Sequence, residues 1–195
     1  MNTLKTTLMA TTAFLCLTLA QPAVAAELTL HTDPAQSTAH LTLSGSLHTV
    51  HGSFKGKRGE IHFDPATGKI SGDIVFDATS GQTDNSMRDS KMHKEIIESP
   101  KYPEISFRPD RTDGKVSVPG ISTVPVHGMF NIHGMDHEIT TQVTIKFEGD
   151  HWEATTHFPV PYAKWGMKNP SVLFLKVSDT VDIELDAKGN FTSAP

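Results

Sequence analysis

Cysteine is nearly missing from this chain: 195 residues contain one, Cys16. It lies within an apolar stretch at the N-terminus, and the residues before it are not the small ones a lipoprotein signal needs. If that stretch is removed on export, the remaining chain has no cysteine, which excludes disulfides and thiolate chemistry. Basic runs are also lacking. With 17 Lys and Arg against 22 Asp and Glu, the net charge is −5. Nothing is arranged to meet a line of phosphates, so no nucleic-acid partner is expected. The acidity is modest and dispersed, and argues for solubility. No apolar run reaches the ~20 residues that cross a bilayer, so no integral membrane segment is expected. Compact catalytic or metal motifs such as H-E-x-x-H and G-x-S-x-G do not occur. Internal repeats and low-complexity tracts are absent as well.

The first 25 residues carry the three parts of a secretory signal peptide. Lys5 supplies the positive start, Leu8 to Ala20 form the apolar stretch, and Ala23-Val24-Ala25 is a small-x-small cleavage site. The expected organisation is a cleaved leader over 1–25 and one domain over 26–195, in a periplasmic or secreted protein. The domain is long enough to bury a sizeable core.

Beyond the leader, apolar and polar residues alternate with period two. Ala39, Leu41 and Leu43 form one such set; Ile61 and Phe63 another; Ile70, Ile74 and Phe76 a third. Further sets are Ile105 and Phe107; Val124, Val126, Phe130 and Ile132; Ile139, Val143, Ile145 and Phe147; and Val177, Val181, Ile183 and Leu185. This alternation belongs to a sheet with one buried face. Asp64-Pro65-Ala66-Thr67-Gly68 reads as a tight hairpin loop. Asp113-Gly114, Pro119-Gly120, His133-Gly134 and Gly149-Asp150 mark four further reversals. About eight short strands joined in this way make a barrel or a sandwich, and closure into a barrel removes exposed edges. Alternation alone leaves the interior open between a packed core and a cavity.

The segment from Asp84 to Ser99 breaks the pattern and reads as a short amphipathic helix over one end of the barrel. Asp84 or Asn85 caps its start, Pro100 stops it, and Met92 and Ile96, four apart, share a face. Asp89 follows Arg88 directly, so the two cannot face each other on that helix.

Eleven histidines raise the possibility of a transition-metal site for copper, zinc or nickel, or of a redox-partner protein. His48 and His51 are three apart, which is the wrong parity for one strand face, whereas His133 and His137 flank a turn and are able to converge. His40, His62 and His157 fall on polar phases, where histidines face solvent. A lipid-ester hydrolase is a third reading. It requires a Ser or Asp within hydrogen-bond reach of a His inside the cavity.

Several motifs, in order along the chain, resemble those of the YceI-like family. The run Thr83-Asp84-Asn85-Ser86-Met87-Arg88-Asp89 is similar to that family's T-x-N-x-x-R-D, and Tyr102-Pro103-Glu104-Ile105-Ser106-Phe107 to its Y-P-x-I-x-F. Asp33 to Thr38, Val50 to Phe54, Val126 to Gly134 and Trp165-Gly166-Met167 extend the likeness over nearly the whole domain. The resemblance implies an eight-stranded, antiparallel, lipocalin-like barrel in an exported protein, often a homodimer, without catalysis or cofactor. It also implies an elongated apolar tunnel holding an isoprenoid lipid, an isoprenoid quinone or a similar amphiphile for transport or storage.

On that reading Phe63, Ile74, Phe76, Ile105, Phe107, Phe130 and Ile132 line the tunnel. Met87, Met92 and Ile96 cover it, with Trp165 near an end, and Arg88 or His93 meets a polar headgroup. The sequence departs from the family pattern at His48 and His51, and in the long apolar segment Lys164 to Lys176.

Overall fold

Alternating inward apolar and outward polar side chains carry the chain through nine strand segments. They are β1 (Leu28–Thr32), β2 (Thr38–Leu43), β3 (Val50–Phe63), β4 (Ile70–Asp77), β5 (Glu104–Thr112), β6 (Gly120–Ile132), β7 (Met135–Glu148), β8 (His151–Val160) and β9 (Val181–Ser193). The computed structural model describes residues 27–193. The leader expected at 1–25, with Cys16, lies outside the described residues.

The nine segments form eight staves, because β1 and β2 occupy one position and each pairs with both β3 and β9. All neighbours are antiparallel, and the ring closes through β3–β4 and through β9, as an eight-stranded barrel. Closure leaves no ladder edge open along these staves. The kink between β1 and β2 is the Asp33 to Thr38 motif. The Asp33 side chain accepts from Ala35 N–H and caps a 3-10 turn over Pro34–Gln36. Asp33 N–H donates to the Lys188 carbonyl and the Ser37 hydroxyl donates to the Asp33 carbonyl, tying the kink to β9.

Between β4 and β5, Asn85 accepts from Arg88 N–H and starts the helix α1 (Ser86–Lys91). The helix widens into a π turn over Met92–Ile96, where Ile97 N–H reaches the Met92 carbonyl. This is the helix expected over one barrel end. At the same end, His133 and Gly134 close the β6–β7 hairpin with φ of 55° and 72°. Gly134 is required there, because a Cβ would sit 2.3 Å from the Tyr102 ring.

Three readings of the sequence need correction. Asp113-Gly114 and Pro119-Gly120 do not mark separate reversals; they stand at the start and end of the one connection between β5 and β6, with Gly120 opening β6. Val177 stands outside β9, in an isolated bridge with Gly45. β1 and β8 were not among the expected strands. β8 fills inward positions with Ala154 and Thr156 beside Trp152, Phe158 and Val160, which dilutes its apolar alternation.

The buried side chains form two clusters stacked along the barrel. One, at the helix end, contains Phe54, Phe76, Met92, Phe130, Phe158 and Tyr162. The other contains Leu28, Leu30, Ile61, Phe63, Phe147 and Trp152. Trp152 closes that far end, and its indole N–H is satisfied by the His31 and Asn190 carbonyls at 3.3 and 3.1 Å. A buried Trp keeps its place only where its donor finds such a partner.

Candidate ligand-binding site

Two apolar chambers lie within the barrel. The larger, about 270 Å³, opens at the helix end among the β2–β3 loop, α1 with its π turn, and the long β8–β9 connection. Its apolar lining includes Leu41, Val50, Phe54, Met92, Ile132, Tyr162, Met167 and Ile183. Its polar lining residues, Ser46, His48, Thr83, Arg88, Lys91 and Lys176, belong to the three segments around the mouth or, for Thr83, to the turn just ahead of α1. The smaller chamber, about 100 Å³, is lined by residues such as Leu30, Phe63, Ile74, Phe76, Phe107, Val126, Ile145 and Trp152.

The chambers share no lining residue. On β9, Ile183 faces the larger and Leu185, two residues on, the smaller, so the partition falls at that level. Phe130 and Phe158 occupy it, meeting edge to face with ring centroids 5.3 Å apart. Ile105 is buried in the same cluster and also lines neither chamber.

Of the thirteen residues expected to bind ligand, Phe63, Ile74, Phe76 and Phe107 line the smaller chamber, and Arg88, Met92, Ile96 and Ile132 the larger. Phe130 belongs to the septum, and Ile105 is buried in the same cluster without lining a chamber. Three placements correct the expectation. Met87 covers nothing: its side chain points to solvent and is 81% exposed. His93 does not face the entrance, because its Nε2–H donates to the Gly81 carbonyl and its Nδ1 meets the Ser99 hydroxyl, both at 2.8 Å. Trp165 is stacked on His137 and lines neither chamber.

Arg88 is held by the fold. Its Nε–H donates to the Thr83 hydroxyl and a terminal N–H to the Thr83 carbonyl, at 2.7 and 2.6 Å. The Thr83 hydroxyl in turn donates to Asp89 at 2.5 Å. Thr83 therefore joins two neighbours that cannot reach each other, which explains the T-x-N-x-x-R-D spacing. Remaining guanidinium surface borders the larger chamber.

The sequence reading missed most of the larger chamber's wall: Leu41, Leu43, Val50, Phe54, Tyr162, Met167 and Ile183. Leu41 and Ile183 showed the right alternation, but nothing local says which inward residues surround space and which fill it. Tyr162 and Met167 come from an irregular stretch with no period. The Tyr162 hydroxyl donates to the Ser178 carbonyl at 2.6 Å, and burial raises its pKa to about 12.

Histidine chemistry finds no support in this arrangement. Among the described residues, no three His, Cys, Asp or Glu side chains are placed to hold a metal ion. His133 and His137 do not converge: His133 meets Glu98 at 3.1 Å, and His137 packs on Trp165. His127 lies between Asp110 and Glu138, 2.7 Å from each, with one carboxylate on either ring nitrogen, so the three cannot close on one ion. Those carboxylates raise the His127 pKa, Asp110 contributing most. Burial lowers that of His137.

A sequence model for the YceI-like domain matches residues 30–189. The chain belongs to the YceI-like family. Among solved structures, Burkholderia cenocepacia BcnA is similar with a TM-score of 0.67 and 19% identity, over 82% of this chain and 99% of that one. A polyisoprenoid binding domain from Saccharophagus degradans, implicated in plant cell wall breakdown, gives 0.63 and 17%, over 85% and 98%. The Campylobacter jejuni YceI protein gives 0.58 and 19%, over 72% and 84%. At such identities the likeness establishes the fold. No curated protein matches the sequence. Among the described residues, no helix is long and apolar enough to cross a membrane. A YceI-like barrel with two apolar chambers supports a protein that binds a hydrophobic ligand.

Proposed function

We propose that this YceI-like protein is an exported, non-catalytic carrier that holds an isoprenoid lipid or isoprenoid quinone tail for transport or storage, in the periplasm or outside the cell. The observation that carries the reading is the larger chamber: about 270 Å³, apolar within, open at one end and polar only at its mouth. A cavity of about 150 Å³ accommodates a benzene, so this one takes roughly ten carbons, or about two isoprene units. Each buried CH₂ contributes ~0.8 kcal/mol, so such a stretch gains ~8 kcal/mol before the ordering cost of binding.

The assigned lining is Met92, Ile96 and Ile132 in the larger chamber, with Arg88 at the mouth beside the headgroup. Phe63, Ile74, Phe76 and Phe107 form the smaller chamber beyond the septum, where a longer chain would enter. The similar barrel from Saccharophagus degradans, a polyisoprenoid binding domain, supports the ligand class.

Native mass spectrometry of the purified protein, followed by solvent extraction, tests the reading. A bound apolar chain lost on extraction and regained on adding a polyprenol or a ubiquinone is the expected result. A protein that carries no lipid and takes up neither compound would overturn it.

A further inference from the structure

The β8–β9 connection ends in a tight hairpin, in which Val172 and Leu175 exchange both backbone hydrogen bonds, at 3.0 and 2.6 Å. The two residues at its tip are Leu173 and Phe174, which are 85% and 92% exposed. Tight turns normally carry Gly, Asn or Asp. Here Leu173 takes a φ of +30°, which is strained for a large side chain, and two apolar groups are pushed into water. Leu47, on the β2–β3 loop, is 75% exposed. The two loops are tied together: Ser46 N–H donates to the Lys176 carbonyl and Ser178 N–H to the Ser44 carbonyl, both at 2.8 Å. Val172, Leu175 and Leu47 also line the larger chamber, so the exposed apolar rim is continuous with its interior.

The rim is cationic in a chain whose net charge is −5. The segment from Lys164 to Lys176 has three lysines and no acid. The charged residues lining the chamber, Arg88, Lys91 and Lys176, are all positive. Asp84, Asp89, Glu95 and Asp179 lie on the same segments but line no part of the chamber, and Glu95 is paired with Lys168 at 2.6 Å. Apolar side chains at a tip with lysines behind them match the boundary between acyl chains and anionic headgroups. A second copy of the chain fits less well, because it would bring one lysine-bearing rim against another, and a two-residue tip is far smaller than a stable dimer interface.

We propose that this mouth docks on an anionic phospholipid surface, inserting Leu173 and Phe174 below the headgroups with Lys91 and Lys176 against them. The chamber would then open towards the bilayer. This inference goes beyond the ligand reading and does not require any one ligand. Failure to bind vesicles leaves the extraction result standing, and an empty chamber leaves vesicle binding measurable.

Vesicle flotation with the mature protein provides the test, using phosphatidylcholine alone and an equal mixture with phosphatidylglycerol. The expected result is binding to the mixed vesicles, weakened by salt and reduced about tenfold or more in Leu173→Ser/Phe174→Ser. Lys91→Gln/Lys176→Gln should lose the preference for anionic vesicles. Leu173, Phe174 and Lys176 are exposed and Lys91 is partly so, and an unchanged thermal transition will show that the variants fold. Phe174→Trp adds a fluorescence signal that should shift to the blue on mixed vesicles. Wild-type protein that floats with neither vesicle, or a serine variant that floats as well as wild type, would overturn the proposal. So would a solution dimer that the serine variant abolishes, since a second copy would then be the occupant.

Discussion

His137 and Trp165 stack face to face, with ring centroids 3.8 Å apart and planes 5° from parallel. The first is on β7 and the second in the β8–β9 connection, so the pair fastens that connection to the barrel. Phe130, directly opposite His137 in the ladder, lies 6.2 Å from the same indole. His137 Nε2 is buried without a hydrogen-bond partner, so the ring is accommodated in its neutral form.

Burial lowers the His137 pKa below its ordinary 6.5. Between the lowered and the ordinary value, the unfolded chain binds the extra proton. The contribution of this residue is therefore complete above pH ~6.5 and shrinks as the pH falls below it. Urea denaturation of wild type and His137→Phe across this range should show a shallower acid loss in the variant. Parallel curves would argue against the assignment.

His127 has the opposite sign. Asp110 and Glu138 raise its pKa, so the folded state retains the proton longer. Its contribution is present below pH ~6.5 and is lost as the pH rises through the raised value. His127→Gln should lose stability mainly on the acid side, and its difference from wild type should narrow as the pH climbs. Equal differences at all pH values would show that the carboxylates do not hold a charged ring.

Removing the septum should join the chambers. Phe130→Ala deletes a buried ring in contact with Phe158 and Trp165, at a cost of ~3–5 kcal/mol. Folded variant is expected to accept a longer polyprenyl chain than wild type, read as ligand mass by native mass spectrometry. An unchanged chain-length limit would mean that the septum yields in the wild-type protein.

Filling the larger chamber should do the reverse. Val181 is only partly buried and lines it, so Val181→Trp places an indole into the space with little backbone strain. Bound lipid should fall sharply while stability changes by no more than ~1–3 kcal/mol. Undiminished lipid content would place the ligand elsewhere.

Thr83→Val tests the support of the mouth. Valine keeps the shape but removes the hydroxyl that joins Arg88 to Asp89, while the carbonyl bond to Arg88 remains. A loss of about 2 kcal/mol is expected in urea denaturation. A neutral result would mean that solvent replaces the hydroxyl at no cost.

Much of this protein was legible as sequence. The period-two runs and the Gly-containing turns identified the short strands of a barrel or a sandwich, with a helix at one end, because strand parity and turn geometry are local properties. The eight-stranded barrel was what the resemblance carried by the T-x-N-x-x-R-D and Y-P-x-I-x-F motifs implied. Those runs also identified Phe63, Ile74, Phe76 and Phe107 as inward-facing, and all four line a chamber. What only the tertiary structure decided was where the interior is hollow. Ile183 and Leu185 have the same local pattern and end in different chambers, where Phe158, opposite Ile183 on β8, meets Phe130 from β6. The apolar tip at Leu173 and Phe174 was visible as composition, but its exposure follows from the backbone exchange between Val172 and Leu175. Alternation tells which way a side chain points. Whether it meets another side chain, a ligand or water depends on residues brought together by closing the barrel.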